Sequence, residues 1–252
     1  MIRIIMHGCN GYMGQVITAL AQDEEGLEIV AGIDVADNRD NGYPVYTCHV
    51  DCREEADVLI DFSNVKAADA LLAYCADRKL PVVLCTTGLT SEQLEKVKET
   101  SEKIAVLRSA NMSLGVNILL KLVKEAAGAL AQAGFDMEIV EKHHNRKLDA
   151  PSGTALALAD AAVEGASNGE YSYTYDRSAL YRKRDPKEIG ISSVRGGTIV
   201  GDHDVIFAGT DEVITLSHSA YSRAVFGKGA LAAARFLAGK PAGLYSMSDV
   251  IA

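Results

Sequence analysis

The 252-residue chain has no surplus of positive charge: 25 lysines and arginines stand against 34 aspartates and glutamates, a formal net charge of -9. A surface that tracks phosphate backbones or anionic lipid needs the opposite balance, so neither a nucleic-acid nor a membrane partner is expected. An acidic protein still has room for a local basic pocket. No apolar run reaches membrane-spanning length, and the opening "MIRIIMHG" is too short an apolar stretch for a signal peptide. The five cysteines (Cys9, Cys48, Cys52, Cys75 and Cys85) are odd in number and lack CxxC spacing. That argues against a disulfide framework or zinc ribbon and for a reducing, cytoplasmic setting. The run "CHVDC" lacks a second ligand pair, so no metal is expected there. Repeats and low-complexity linkers are missing as well.

What is present is 48% apolar composition, in a length that fits one large domain or two smaller ones. In the first half, short apolar runs ("IRIIMH", "LEIVAGID", "DVLIDF", "PVVLCTT", "IAVLRSA") alternate with helical spacing over Val65 to Asp77 and Ser91 to Lys103. That alternation predicts an α/β fold, a Rossmann-like doubly wound parallel sheet. Thr90 with Gln93 predicts a capping box for the second helix. The stripe "LGVNILLKLVKEAAGAL" reads as a helix leaving this domain. From Ile189 to Ala220 strand alternation is broken at Gly196-Gly197 and at Gly209-Thr210-Asp211, which predicts an antiparallel meander inside a second α+β domain. Arg223 to Leu237 is helical again and stops at Gly239. The expected domains are 1-113 with 223-252 for the dinucleotide, and 114-222 for substrate and oligomerisation.

The first strand runs into "HGCNGYMGQ", with Gly8, Gly11 and Gly14 three apart and a helix pattern behind them. Chemistry needs glycine there because the backbone must turn tightly and approach a pyrophosphate closely, at a helix N-terminus that offers its amides to the anion. Asp34, twenty residues beyond Gly14 at the end of the second strand, is placed to accept from a ribose hydroxyl. "CTTG" ends at the carboxyl edge of the sheet, where Thr86 and Thr87 are positioned to face a nicotinamide.

The second stretch is "EIVEKHHNRKLDAPSGTALALAD". "FDMEIVE" reads as a strand, and His143, His144 and Lys147 as parts of the connecting loop after it. Ser152 is the expected N-cap of an alanine-rich helix, so the amides of Ser152, Gly153 and Thr154 are expected to be free for a carboxylate, with Pro151 fixing the entry. A cation and a helix N-terminus converging beside histidines suit an anionic substrate that also needs a proton. Asp149 alone does not complete a metal-ligand set.

The runs "EKHHNRKLDAPSGTA", "GCNGYMG", "TTG", "NMSLGVN" and "VRGGTIVGDHDVIF" resemble the bacterial dihydrodipicolinate (4-hydroxy-tetrahydrodipicolinate) reductase family over nearly the whole chain. The His-His-x-x-Lys-x-Asp-x-Pro-Ser-Gly-Thr segment is the most specific of these. The resemblance implies a homotetramer, a place in lysine (diaminopimelate) synthesis, and reduction of a small cyclic dicarboxylate by a nicotinamide. It implies His143 as the acid/base group, acting with Lys147. His144, Lys147, Ser152, Gly153 and Thr154 are implied as substrate-binding. The implied cofactor-binding residues are Gly8, Asn10, Gly11, Tyr12, Met13, Gly14, Asp34, Phe62, Cys85, Thr86, Thr87, Gly88, Ala110, Asn111 and Met112. The chain departs from the family's commonest pattern at Tyr12 and Asn64, where arginine is frequent, and at Cys85, where glycine is. With Asp34 present and only Arg39 nearby as a cation, NADH is expected over NADPH, with some use of both. Competing readings are an amino-acid dehydrogenase, a non-catalytic dinucleotide sensor and a metal-dependent hydrolase.

Overall fold

Continuous apolar runs of four to six residues can be buried on both faces only inside a parallel sheet covered by helices. The structure, a computed structural model, describes residues 1-109, 111-167 and 169-252. It forms such a sheet from β1 (Ile2–His7), β2 (Leu27–Ile33), β3 (Val45–Tyr46), β4 (Val58–Asp61), β5 (Val82–Leu84) and β6 (Ala105–Arg108), interleaved with α1 (Tyr12–Gln22), α2 (Ala68–Arg78) and α3 (Ser91–Ser101). The chain then runs through α4 (Leu114–Leu130), β7 (Asp136–His143), α5 (Gly153–Ala166), β8 (Ser172–Thr174), β9 (Glu188–Arg195), β10 (Gly201–Ala208) and β11 (Val213–Ala220). It returns through α6 (Ala224–Leu237), β12 (Gly243–Tyr245) and α7 (Met247–Val250). Two units result: residues 1-114 with 224-252, and residues 115-223.

In the first unit the strand order is β12-β6-β5-β4-β1-β2-β3, parallel throughout. Ile4, Met6, Val58 and Ile60 pack against α1 and α6 residues such as Ile17, Leu231 and Ala234. On the opposite face Ile5, Leu59 and Val82 meet Leu71, Leu72 and Val97 of α2 and α3. The Thr90–Gln93 capping box forms in both directions, at 3.2 and 3.1 Å. The helix expected from Val65 begins instead as a 3-10 turn over Val65–Ala67, because Asn64 accepts from the Lys66 amide at 2.9 Å and tightens the entry.

The second unit corrects the meander. Its sheet order is β11-β10-β7-β9-β8, so β10 and β11 form a hairpin but β9 and β10 do not touch. β7 lies between them, parallel to β9 and antiparallel to β10. Alternation reports which residues face inward, and it carries no information about which strand becomes the neighbour. The 196-200 connection consequently passes over the end of β7: Gly196 N donates to His143 O at 2.9 Å, and Asn145 N to Gly197 O at 3.3 Å. One face of this sheet, with Met137, Ile139, Val205 and Phe207, is buried under Leu119, Val123, Leu158 and Ala162 of α4 and α5.

Candidate functional site

Each unit carries half of the sequence-expected chemistry. In the first unit the glycine turn has the shape that its spacing demands. Gly8 has φ +81°, and a Cβ there would fall 2.6 Å from the Phe62 carbonyl oxygen. A Cβ at Gly14 would fall 2.2 Å from the Gly8 oxygen, whereas at Gly11 it would meet only that oxygen, at 3.3 Å. Glycine at 8 and 14 therefore lets the loop close on itself, and Gly11 keeps its outer side open. Gly11 is also the N-cap of α1, with no side chain capping the helix, the arrangement a pyrophosphate requires. The residues fit a dinucleotide.

Asp34 follows β2 directly. Its Oδ2 accepts from the Asn10 amide at 2.8 Å and its Oδ1 from the Val35 amide at 2.7 Å. Asn10 in turn donates to Ala36 O and accepts from Asn41 at 2.9 Å, tying the loop after β2 to the glycine turn. Arg39 is exposed. Tyr12 is 64% exposed at the head of α1. Phe62, Cys85 and Thr86 sit where β4 and β5 end, with Thr87 and Gly88 just beyond, and Asn111 and Met112 precede α4. Ala110 lies outside the described residues.

In the second unit the sequence placed His143 in a loop, but it is the last residue of β7. It is held there by parallel register with Arg195 and by the Gly196 amide on its carbonyl. His144 and Lys147 do lie in the connection that follows. Strand alternation puts Glu141 on the same face as His143, and the two meet: Glu141 Oε2 accepts from His143 Nδ1 at 2.5 Å. Arg195 grips the same carboxylate with both terminal nitrogens, at 2.8 and 2.6 Å. Burial on its own pushes Glu141 upward, and hydrogen bonds from Arg195, Ser193 and His143 more than reverse this, holding it at about 2. An ionised Glu141 only accepts. His143 Nδ1 is therefore its donor, and Nε2 is the nitrogen left for chemistry. That nitrogen faces Gly201, where an added Cβ would stand 3.1 Å away.

Ser152 caps α5 through the Ala155 amide at 3.1 Å, as expected. Its own amide is not available to a substrate, because the buried Glu141 takes it at 3.2 Å. Gly153 and Thr154 occupy the first turn of α5. Lys147 reaches Asp149 at 2.9 Å. Partial burial, together with the charges of Arg146, Arg223 and Lys147, holds His144 below its ordinary value.

Sequence reasoning missed three members. Glu141, Arg195 and His203 are brought in by β7, β9 and β10 respectively. His203 is buried, stands edge-on to His143 with ring centroids 5.2 Å apart, and meets Ser152 Oγ at 3.0 Å. Burial, aided by the neighbouring His143, lowers it to about 4. The two-residue spacing of Glu141 and His143 was a usable signal, and so was a histidine at an inward position of "GDHDVIF". Arg195 gave none, since its partner is 54 residues away.

Comparison with known proteins agrees with this arrangement. The family model described as "Dihydrodipicolinate reductase, N-terminus" matches residues 2-112, and "Dihydrodipicolinate reductase, C-terminus" matches 115-251. A "4-hydroxy-tetrahydrodipicolinate reductase" of Caldanaerobacter subterraneus subsp. tengcongensis is 55% identical over 251 residues, 100% of this chain and 98% of the relative. The Clostridium tetani protein of that name is 47% identical over 100% of this chain and 97% of its own length. Among solved structures, "Dipicolinate bound Dihydrodipicolinate reductase from Paenisporosarcina sp. TG-14" superposes with a TM-score of 0.82 at 26% identity, covering 98% of this chain and 97% of that one. A "DAP dehydrogenase" from C. glutamicum, 13% identical with a TM-score of 0.58 over 100% of this chain and 95% of that one, shares the fold alone. With both halves matched and relatives this similar along its whole length, the chain belongs to the dihydrodipicolinate reductase family of pyridine-nucleotide-dependent oxidoreductases.

Proposed function

We propose that the chain reduces the cyclic dicarboxylate of lysine biosynthesis, 4-hydroxy-tetrahydrodipicolinate or its dehydrated form, to tetrahydrodipicolinate, with NADH preferred and NADPH also used. The observation that carries the reading is His143, its Nδ1 tied to the buried Glu141–Arg195 pair, beside the loop cations Arg146 and Lys147. A bound nicotinamide supplies the hydride. His143 delivers the matching proton from Nε2 to the enamine carbon of the reduced ring, so one hydride and one proton, two hydrogens in all, complete the reduction. Lys147 leaves Asp149 to hold a substrate carboxylate, and the first turn of α5, at Gly153 and Thr154, binds further carboxylate oxygen, each charge-assisted bond contributing roughly 1.5–3 kcal/mol. The dicarboxylate in the solved relative's name supports this substrate class.

Asp34 supports the NADH preference: its carboxylate accepts from ribose hydroxyls and repels a 2'-phosphate. The homotetramer is supported by the second sheet's face opposite α4 and α5, where Val194 and Val213 stay 45% and 62% exposed. The test is NADH oxidation in the presence of the product of dihydrodipicolinate synthase. Turnover with that product, and none with 2-oxo acids plus ammonia, supports the reading. Dinucleotide binding without turnover overturns it in favour of a sensor.

A further inference from the structure

The first unit contains a second acid–imidazole pair, apart from the one that ends β7. His7 and Asp61 are the last residues of β1 and β4, are in register with each other, and are 5% and 0% exposed. His7 Nδ1 and Asp61 Oδ1 are 2.8 Å apart. The same oxygen accepts from Ser63 Oγ at 2.6 Å and from the Ser63 amide at 3.1 Å. The main chain repeats the pattern: Phe62 N donates to His7 O at 3.0 Å, and Cys85 N to Asp61 O at 3.0 Å. Three segments that leave the sheet at this edge, through Gly8, Phe62 and Cys85, are thereby joined at one residue. Asp61 Oδ2 and Thr86 Oγ1 are both buried without a partner at full hydrogen-bonding geometry, though the Thr86 hydroxyl stands near enough to favour the ionised carboxyl. A buried carboxylate oxygen and a buried hydroxyl left unmade are costly, so they belong to a built polar centre and not to ordinary core. The ring of His49 closes it from the α2 side, 4.8 Å from His7.

We infer that Asp61, held by His7, is a positioning residue for the nicotinamide cofactor. It fixes the spacing between the glycine turn, the Phe62–Ser63 corner and the Cys85–Thr86 corner without touching the dinucleotide itself. Burial pushes Asp61 upward, and His7, Ser63 and Thr86 more than offset this, so the group works as an ionised acceptor. The other titratable groups around it are His49 on the 3-10 turn before β4, Cys75 on α2 and Cys85 after β5. The inference rests on the reading of the first unit as the cofactor unit.

The test compares Asp61→Asn and His7→Phe with the unmodified enzyme. The first keeps the shape and removes the charge; the second keeps a ring and removes the donor to Asp61, and is retained in case the first does not fold. NADH binding is measured by fluorescence, pyridine-2,6-dicarboxylate binding by calorimetry, and the unfolding midpoint alongside. Loss of one charged hydrogen bond at this centre predicts roughly a tenfold rise in the NADH dissociation constant, with dicarboxylate affinity unmoved. NADH affinity within twofold of the unmodified enzyme in a folded variant overturns the inference, even where the unfolding midpoint drops, because the pair would then be structural only. An unmodified enzyme that binds neither NADH nor NADPH would overturn the cofactor reading instead.

Discussion

At the scale of single residues, the proposed roles separate into kinetic signatures. A general acid contributes roughly a hundredfold to ten-thousandfold in rate. His143→Gln is expected to lower kcat by that order with NADH binding retained. Lys147→Ala should instead raise KM for the dicarboxylate by about tenfold or more, since it removes a charge-assisted contact. Steady-state kinetics with both substrates varied distinguishes the two. Asp34→Asn keeps one acceptor oxygen for the Asn10 and Val35 amides, which now use two, and loses the charge, so the NADH-over-NADPH ratio of kcat/KM should fall by roughly tenfold at low salt, where screening is weakest. His203 predicts a pH effect. Its folded value of about 4 lies below the ordinary 6.5, so the unfolded chain binds the proton first. The stability it contributes is complete above pH 6.5 and is lost as the pH falls toward 4. Replacing His203 with Asn should flatten the fall in unfolding midpoint across that window.

At the scale of elements, the strand pair split by β7 decides the geometry of the acid group. Because the connection from β9 to β10 crosses the end of β7, Gly201 comes against His143 Nε2. Gly201→Ala puts a methyl group 3.1 Å from that nitrogen. It should lower kcat at least tenfold while NADH affinity and the circular dichroism spectrum stay as in the parent, a loss smaller than that of removing the acid altogether. This part of the fold was not legible in the sequence. The glycine turn, the Thr90–Gln93 box and the Ser152 cap were legible, because each is decided within a few residues. β7's position was not, since the choice of neighbouring strand depends on contacts from far along the chain. The same reason hid Arg195 and the taking of the Ser152 amide by Glu141, both of which follow from β9 and α5 converging on one buried carboxylate.

At the scale of the molecule, each unit has its own buried cluster, and among the described residues no helix is long and apolar enough to cross a membrane. The open face of the second sheet leads to one expectation: sedimentation equilibrium should give a particle of about 107 kDa, four chains of 26.8 kDa, and charged replacements at Val194 and Val213 should shift it toward smaller species. The nesting of one unit within the other also has a temporal side. The first parallel sheet is incomplete until β12 pairs with β6, and β12 follows every strand of the inserted unit along the chain. The inserted unit has all its strands by Ala220, before α6 and β12 exist. Domains fold as units during synthesis. The segment that starts second therefore reaches its native pairing first, and the unit that carries the glycine turn waits, with β6 an open edge, until β12 has been made.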